Sequence, residues 1–170
     1  MSRNVEIKAK IKDFRSFLLR ASEISDKPAF IMKQTDTYFK VLEGRLKLRQ
    51  IQDQVAELIF YNRPDTEGPK LSSYRKQTFK NADEAEGLKK VLESSLGLVG
   101  IVKKERHLFM YERTRIHVDD VEHLGHFMEL EVMLNEDETL EQGQEIADSL
   151  MSKLGVSKSD LISGSYINML

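Results

Sequence analysis

The sequence predicts an α+β fold in which an eight-stranded antiparallel β-barrel or tunnel is flanked by helices. Three observations support this prediction. Apolar and polar residues alternate with a period of two in most segments, other segments have helical spacing, and nearly every alternating segment carries charges on its polar face. An open sheet would expose all of these charges to water, whereas a closed sheet collects them in a polar lumen beneath an apolar outer face.

The alternating and helical segments follow one another without an evident linker or internal repeat. The strands are predicted at 5–11, 30–42, 45–51, 55–63, 71–79, 99–110, 113–121 and 125–134. The helices are predicted from Asp13 to about Ser25, from Asn81 or Asp83 to Gly97, and from Asn135 or Asp137 to Leu154. Residues 1–170 are therefore expected to form a single domain.

The charges of the chain are nearly balanced, because 26 Lys and Arg stand against 28 Asp and Glu. That balance predicts no general polyanion-binding surface, so nucleic acid is not expected as a partner. The sequence has no Cys, which rules out disulfides, thiolate metal sites and a cysteine nucleophile. Apolar runs fall short of the roughly 20 residues that span a bilayer, and the N-terminus has no apolar signal core. We therefore expect no membrane partner and a cytoplasmic location.

Basic side chains are spaced so that several share one strand face. Lys8 and Lys10 alternate on the first strand, and Arg45, Lys47 and Arg49 alternate on the third. Like charges at this spacing repel one another unless water or an anion compensates them. For a single strand the simpler interpretation is a solvent-exposed face. The recurrence across the sheet instead favours a lumen whose low dielectric strengthens anion binding.

Carboxylates predict a second kind of site. Glu129 and Glu131 share one face of the last strand, and Glu6 and Glu57 can meet them across a lumen. Clustered oxygen ligands with free positions for water and phosphate are what Mg²⁺ or Mn²⁺ requires, although the same glutamates could instead pair with arginines. His117 alone is interpreted as a hydrogen-bonded strand residue and not as a ligand.

Several motifs occur along the whole chain in a fixed order. They are Asn4-Val5-Glu6-Ile7-Lys8, Gln34-Thr35-Asp36-Thr37-Tyr38-Phe39, Gly44-Arg45-Leu46-Lys47-Leu48-Arg49, Gly68-Pro69-Lys70, Lys103-Lys104-x-Arg106, Arg115-x-His117-x-Asp119, Gly125-x-Phe127-x-Glu129-x-Glu131 and Ser165-Tyr166. The ordered set resembles the CYTH superfamily, also called triphosphate tunnel metalloenzymes. Its members include class IV adenylyl cyclases, thiamine triphosphatases, inorganic tripolyphosphatases and fungal-type messenger-RNA triphosphatases.

The resemblance implies an eight-stranded antiparallel tunnel that binds a triphosphate-containing small molecule. With Lys10 added from the alternation of the first strand, the predicted phosphate-binding residues are Lys8, Lys10, Arg45, Lys47, Arg49, Arg75, Lys104, Arg106 and Arg115. The resemblance also implies one or two Mg²⁺ or Mn²⁺ ions, held by Glu6, Glu57, Asp119, Glu129 and Glu131. The family's opening motif is Glu-x-Glu-x-Lys, and Asn4 stands here in place of the first Glu, so one carboxylate is missing.

These features predict metal-dependent hydrolysis of a triphosphate, either inorganic tripolyphosphate or a triphosphate-bearing organic compound. The predicted catalytic residues are Glu6, Lys8, Arg49 and Glu57, since phosphoryl transfer depends mostly on positioning and charge stabilisation. Three alternatives stay open: a class IV-type adenylyl cyclase that makes cyclic AMP from ATP, a triphosphate- or polyphosphate-binding protein without turnover, and a protein-interaction module. A homodimer is compatible with the sequence.

Overall fold

The described part of the chain, residues 2–170 of a computed structural model, contains eight strands, three α-helices and two short 3₁₀ turns. The strands are β1 (Ser2–Lys10), β2 (Phe30–Phe39), β3 (Arg45–Ile51), β4 (Ala56–Asn62), β5 (Lys70–Phe79), β6 (Leu98–Tyr111), β7 (Thr114–Val121) and β8 (Gly125–Met133). The helices are α1 (Phe14–Ile24), α2 (Ala82–Leu96) and α3 (Leu140–Leu154), and the 3₁₀ turns are Lys158–Asp160 and Tyr166–Met169.

The strands pair into one closed barrel, in the order β1-β5-β4-β3-β2-β6-β7-β8. All eight neighbouring pairs are antiparallel. Closure leaves the sheet with an inner and an outer face, and the side-chain period of two divides each strand between them. The predicted fold class is therefore confirmed.

Side-chain caps fix where the helices begin. Asp13 accepts a hydrogen bond from the backbone N–H of Ser16 at 3.0 Å, as the sequence predicts for the start of α1. Asn81 caps α2 in the same way. The predicted start of α3 at residue 135 or 137 is wrong, because Thr139 and Gln142 form a reciprocal capping box and the helix begins at Leu140.

The main apolar core lies outside the barrel, between the sheet and the helices α1 and α3. Outward-facing residues of β1, β7 and β8 supply one side of it, and Phe17, Ala21, Ala147, Leu150 and Leu154 supply the other. A Cβ atom on Gly143 would lie 2.5 Å from the Val5 side chain, so the glycine lets α3 approach β1 closely. The helices thus take the apolar face, which leaves the inner face free for polar residues.

A second apolar cluster fills one end of the barrel. It combines Tyr38, Val102, Val121 and Phe127 from four strands with Tyr166 from the C-terminal 3₁₀ turn, all of them buried. The C-terminal segment therefore acts as a plug at that end. In the described part of the chain, no helix is long and apolar enough to cross a membrane.

Candidate functional site

The inner face of the barrel surrounds a cavity of about 240 Å³. Eight basic side chains line it: Lys8, Lys47, Arg49, Arg63, Lys76, Lys104, Arg106 and Arg115. Four carboxylates line it as well: Glu6, Glu57, Glu129 and Glu131. Lys76 and Arg115 keep side-chain exposures of 43% and 33%, which places them at the opening opposite the plug. The wall carries more positive than negative charge, so it is suited to an anion of several charges.

Asp36 lies beneath several of the basic residues and organises them. It is fully buried, and its carboxylate accepts two hydrogen bonds from Arg49, at 2.9 and 2.8 Å, and one from Lys104 at 2.8 Å. The Lys47 ammonium lies 3.3 Å away. Burial alone would raise the pKa of this carboxyl, but the three neighbouring cations lower it well below its ordinary value. Asp36 is therefore ionised and holds three cations at the cavity wall.

Asp119 has the same role on β7, which is separated from β2 by β6 alone. It is fully buried, accepts two hydrogen bonds of 2.8 Å from Arg106, and accepts a third of 2.7 Å from the hydroxyl of Tyr166. The plug residue Tyr166 is thereby tied to the arginine network. Its ring also lies 4.0 Å from the Lys8 ammonium, which is a favourable cation–π distance.

Arg63 connects the plug to β1. It donates to Glu6 at 2.6 Å, to the Ser165 hydroxyl at 2.9 Å and to the Gly164 carbonyl at 2.9 Å. Burial and the nearby carboxylates Glu129 and Glu131 raise the pKa of Glu6, while Arg63 lowers it to a smaller extent. The guanidinium therefore orients Glu6 in a crowded acidic environment.

Two lysines of the cavity wall have a lowered pKa, so their charge can change near neutral pH. Burial lowers the pKa of Lys104 to about 7, even though Asp36 favours its charged form. Burial likewise lowers the pKa of Lys8 to about 8, against the opposing effect of Glu129. An anion that enters the cavity would raise both values, because it stabilises the ammonium forms.

One group of side chains can hold a metal ion. One ligand atom from each of His117, Glu129 and Glu131 lies within 4.8 Å of the other two. His117 is only 4% exposed, and its buried Nδ1 atom makes no hydrogen bond although Glu131 Oε1 is 3.0 Å away. An unpartnered imidazole nitrogen beside two carboxylates fits a divalent cation, and the group includes Glu129 and Glu131 of the predicted ligands together with His117, which was not predicted as one.

One wall of the cavity is apolar. Its residues are Met32, Ile51, Ile59 and Leu108. They belong to β2, β3, β4 and β6, which are consecutive around the barrel. The polar lumen therefore has an apolar side against which an uncharged group can pack.

Most of the predicted site residues line the cavity. These are Glu6, Lys8, Lys47, Arg49, Glu57, Lys104, Arg106, Arg115, Glu129 and Glu131. The prediction that the ionic faces of the strands share one lumen is thus confirmed for these positions. Their catalytic, binding or metal-holding roles stay predictions.

Four predicted residues do not line the cavity. Arg75 is exposed on the outer face of β5, because its neighbours Tyr74 and Lys76 take the inward positions. Lys10 is exposed at the end of β1, where its cross-strand partner Phe127 already belongs to the plugged end.

Arg45 and Asp119 are the other two. Arg45 binds Asp65 at 2.8 and 2.9 Å and Asn168 at 2.9 Å, next to the plug. Asp119 is held by Arg106 and Tyr166 behind the cavity surface, so its carboxylate is already occupied. It is therefore not available as the metal ligand that the sequence predicts.

The sequence reasoning did not assign roles to several residues that build the site. Arg63 and Asp36 belong to this group, and both continue an alternation visible in the sequence, from Tyr61 and from Gln34 respectively. Lys76 was missed because residues 72–78 are polar throughout, so the pattern does not show which residues face inward. His117 belongs to the motif Arg115-x-His117-x-Asp119, but a single histidine in a strand does not by itself indicate a metal ligand.

Together, the fold and site define a closed antiparallel barrel with a charged, metal-competent lumen. The sequence model of the CYTH domain matches residues 2–166, and the chain belongs to this family. A Methanocaldococcus jannaschii protein named "putative adenylate cyclase" is 28% identical over 97% of each chain. The structure of the PH1012 protein from Pyrococcus horikoshii covers 98% of this chain and 99% of its own, with a TM-score of 0.83 and 21% identity.

A plant structure is similar over a slightly shorter range. It is a Hippeastrum protein described as a "putative adenylyl cyclase" with a dominant triphosphatase activity. The match covers 90% of this chain and 88% of that one, with a TM-score of 0.60 and 14% identity. At this level of identity the likeness shows the fold alone.

Proposed function

We propose that the protein hydrolyses a triphosphate in a reaction that depends on a divalent metal ion. The observation that carries the proposal is that eight basic side chains and the cluster of His117, Glu129 and Glu131 meet in one cavity. A triphosphate and its metal ion together need such a combination of cationic and anionic groups.

The basic residues of the wall would bind and orient the phosphates. Arg49 and Lys104 are held in place by Asp36, and Arg106 is held by Asp119, so each presents its charge without free rotation. Such preorganisation stabilises charge that develops on phosphate oxygens in the transition state. Lys8 completes the set from β1, because its ammonium faces the same cavity.

A bound Mg²⁺ or Mn²⁺ would neutralise phosphate charge and supply Lewis acidity. His117, Glu129 and Glu131 would hold it. The attacking water needs a group that accepts its proton, and the carboxylates Glu6 and Glu57 both face the cavity. Glu57 is paired loosely, with Lys76 at 3.5 Å, whereas Glu6 is bound tightly by Arg63 at 2.6 Å. We therefore assign the proton-accepting role to Glu57.

The proposal is tested by incubating the protein with tripolyphosphate, ATP and thiamine triphosphate in the presence of Mg²⁺ or Mn²⁺. Release of phosphate from at least one of them, abolished by Glu57→Gln with binding retained, is the expected result. Glu67→Gln, in the connection between β4 and β5, is a matched control and should retain full activity. Folded protein that releases no phosphate from any of the three would contradict the proposal.

The apolar wall favours a second candidate, an adenylyl cyclase. In that reaction the ribose 3′-hydroxyl attacks, and the adenine needs an uncharged surface such as the one formed by Met32, Ile51 and Leu108. The name of the Methanocaldococcus relative agrees with a cyclase, whereas the Hippeastrum protein is described as having a dominant triphosphatase activity. Product analysis with ATP separates the two reactions, since a cyclase yields cyclic AMP and pyrophosphate while a hydrolase yields orthophosphate and ADP.

A further inference from the structure

His117 lies in the cavity wall and has a buried nitrogen atom without a hydrogen-bond partner, which a purely structural role does not explain. It lies on the inner face of β7, opposite Glu129 in the β7–β8 register, and lines the cavity. A buried polar atom without a partner is energetically unfavourable. The Nδ1 atom of His117 is such an atom, because Glu131 Oε1 lies 3.0 Å away but outside hydrogen-bonding geometry. A group that binds between the two would remove this cost.

Glu131 is oriented so that one oxygen stays available to such a group. Its Oε2 atom accepts hydrogen bonds from Asn4 at 3.0 Å and from Arg115 at 3.3 Å. The opposite oxygen, Oε1, is the one beside His117. Asn4 is 1% exposed and replaces the carboxylate expected at this position, so it adds a hydrogen-bond donor where the family motif has a negative charge.

Glu129 likewise keeps its carboxylate oxygens available to a ligand. Its Oε2 atom lies 3.8 Å from the Lys8 ammonium and 3.7 Å from the Arg106 guanidinium. Both distances exceed a normal hydrogen bond, so the two cations keep the carboxylate ionised and leave its oxygens free to move onto a ligand. The cluster therefore offers one nitrogen and two oxygen atoms within 4.8 Å of one another.

We infer that His117 is a direct metal ligand and that the cluster of His117, Glu129 and Glu131 takes Mn²⁺ in preference to Mg²⁺. Imidazole binds divalent transition metals well, whereas Mg²⁺ prefers oxygen ligands and keeps much of its water. Asn4 lowers the negative charge around either ion, so the preference between them depends on the imidazole nitrogen. This inference deepens the metal-dependent function proposed above and rests on it, but it can be tested without turnover.

The direct test is pulsed electron paramagnetic resonance of Mn²⁺ bound to tag-free protein. A nitrogen ligand produces a ¹⁴N hyperfine coupling, and protein labelled with ¹⁵N only in its histidines should replace that signal with the ¹⁵N pattern. The spectra are recorded with and without a methylene-bridged triphosphate analogue, which contains no nitrogen. The labelling experiment needs no variant, so it does not depend on how a substitution at a buried position affects folding.

Variants add a selectivity measurement. Calorimetric titration should show that wild-type protein binds Mn²⁺ about tenfold more tightly than Mg²⁺ or better. His117→Gln should remove the histidine coupling and bring the two affinities close together. His123→Asn is the matched control, because His123 is 78% exposed and has a positive φ that asparagine tolerates, and it should leave both measurements unchanged.

The outcomes separate this inference from the proposed function. Absence of a histidine coupling in wild-type protein, both with and without the analogue, would overturn the inference even if the protein hydrolyses a triphosphate. A histidine coupling in a protein that hydrolyses nothing would support the metal site and contradict the hydrolase proposal.

Discussion

Arg49 on β3 and Asp36 on β2 are directly opposite each other and form a bidentate ion pair, with hydrogen bonds of 2.9 and 2.8 Å. The same carboxylate also binds Lys104 of β6 at 2.8 Å. The fully buried carboxylate of Asp36 therefore holds one basic residue from each of the two strands that flank β2, at the cavity surface. Breaking this arrangement should affect both folding and ligand binding.

Asp36→Asn should lower the free energy of unfolding by about 3–5 kcal/mol, because removing one partner of a buried ion pair leaves uncompensated charge. Denaturant unfolding followed by circular dichroism measures this. Tripolyphosphate should raise the melting temperature of the variant more than that of the wild type, since it supplies the missing negative charge. Asp65→Asn breaks the more exposed pair with Arg45 and should cost less than about 1 kcal/mol. Equal losses in the two variants would contradict the prediction.

Arg115→Ala should weaken binding of a methylene-bridged triphosphate analogue by about 10–100-fold. A hydrogen bond to a charged group contributes about 1.5–3 kcal/mol, and about 1.4 kcal/mol corresponds to a factor of ten. Arg75→Ala is the matched control, because Arg75 lies on the outer face of the barrel, and its affinity should stay within about twofold of wild type. Calorimetry measures both, and an equal effect of the two variants would show that the lumen is not the binding site.

Binding of the analogue should take up protons between about pH 7 and 9. In the free protein the pKa of Lys104 is about 7, so the side chain is mostly neutral at pH 8, and the bound phosphates raise that pKa. Affinity should therefore fall as the pH rises above about 7, while at pH 6 the lysine is already charged and its uptake disappears. Titration in buffers of different ionisation enthalpy measures the number of protons.

Lys104→Arg tests the assignment of this proton uptake. Arginine stays charged over the whole range, so the variant should take up fewer protons at pH 7–8, with the remainder coming from Lys8. Lys103→Arg, at the adjacent exposed position, should match the wild type. Unchanged uptake in Lys104→Arg would rule out Lys104 as the titrating group.

Tyr166→Phe should lower the free energy of unfolding by about 1.5–3 kcal/mol, because it removes a hydrogen bond to the buried, charged Asp119. Tyr111→Phe removes an exposed hydrogen bond with Lys153 and should cost less. Thermal unfolding of the two variants gives the comparison. A silent Tyr166→Phe would mean that the hydrogen bond to Asp119 does not help to hold the plug, and that its apolar contacts and the hydrogen bonds from Arg63 suffice.

The sequence predicted the barrel well because its signal is redundant. Alternation along β1 and β3 assigns Lys8, Lys47 and Arg49 to one face, and the apolar residues of the same strands fix the opposite face against helices or neighbouring strands. Closure follows from the recurrence of charge on nearly every strand. Lys8, Lys47 and Arg49 were therefore placed correctly, whereas Lys10 and Arg45 have the same signals but lie near the plugged end, outside the cavity.

Prediction failed where one of these two signals was missing, or where the role of a side chain depends on partners that alternation does not show. In β5 the polar run around Arg75 has no apolar counterpart that distinguishes Tyr74 and Lys76 from it. Asp119 has the correct parity for the lumen, but periodicity does not reveal that Arg106 and Tyr166 already bind it. The metal-binding potential of His117 depends on a three-residue geometry across strands, which no local pattern encodes.

The C-terminal plug closes one end of the lumen, so a ligand enters and leaves through the opposite opening. A reactant and everything made from it would have to pass the same rim, so departure of one product can delay the other. A long polyphosphate could present only its terminus to the interior and could not be drawn through and cut at an internal bond. The cluster around Tyr166 thus restricts which ends of a molecule can meet the reactive groups, independently of how tightly they bind.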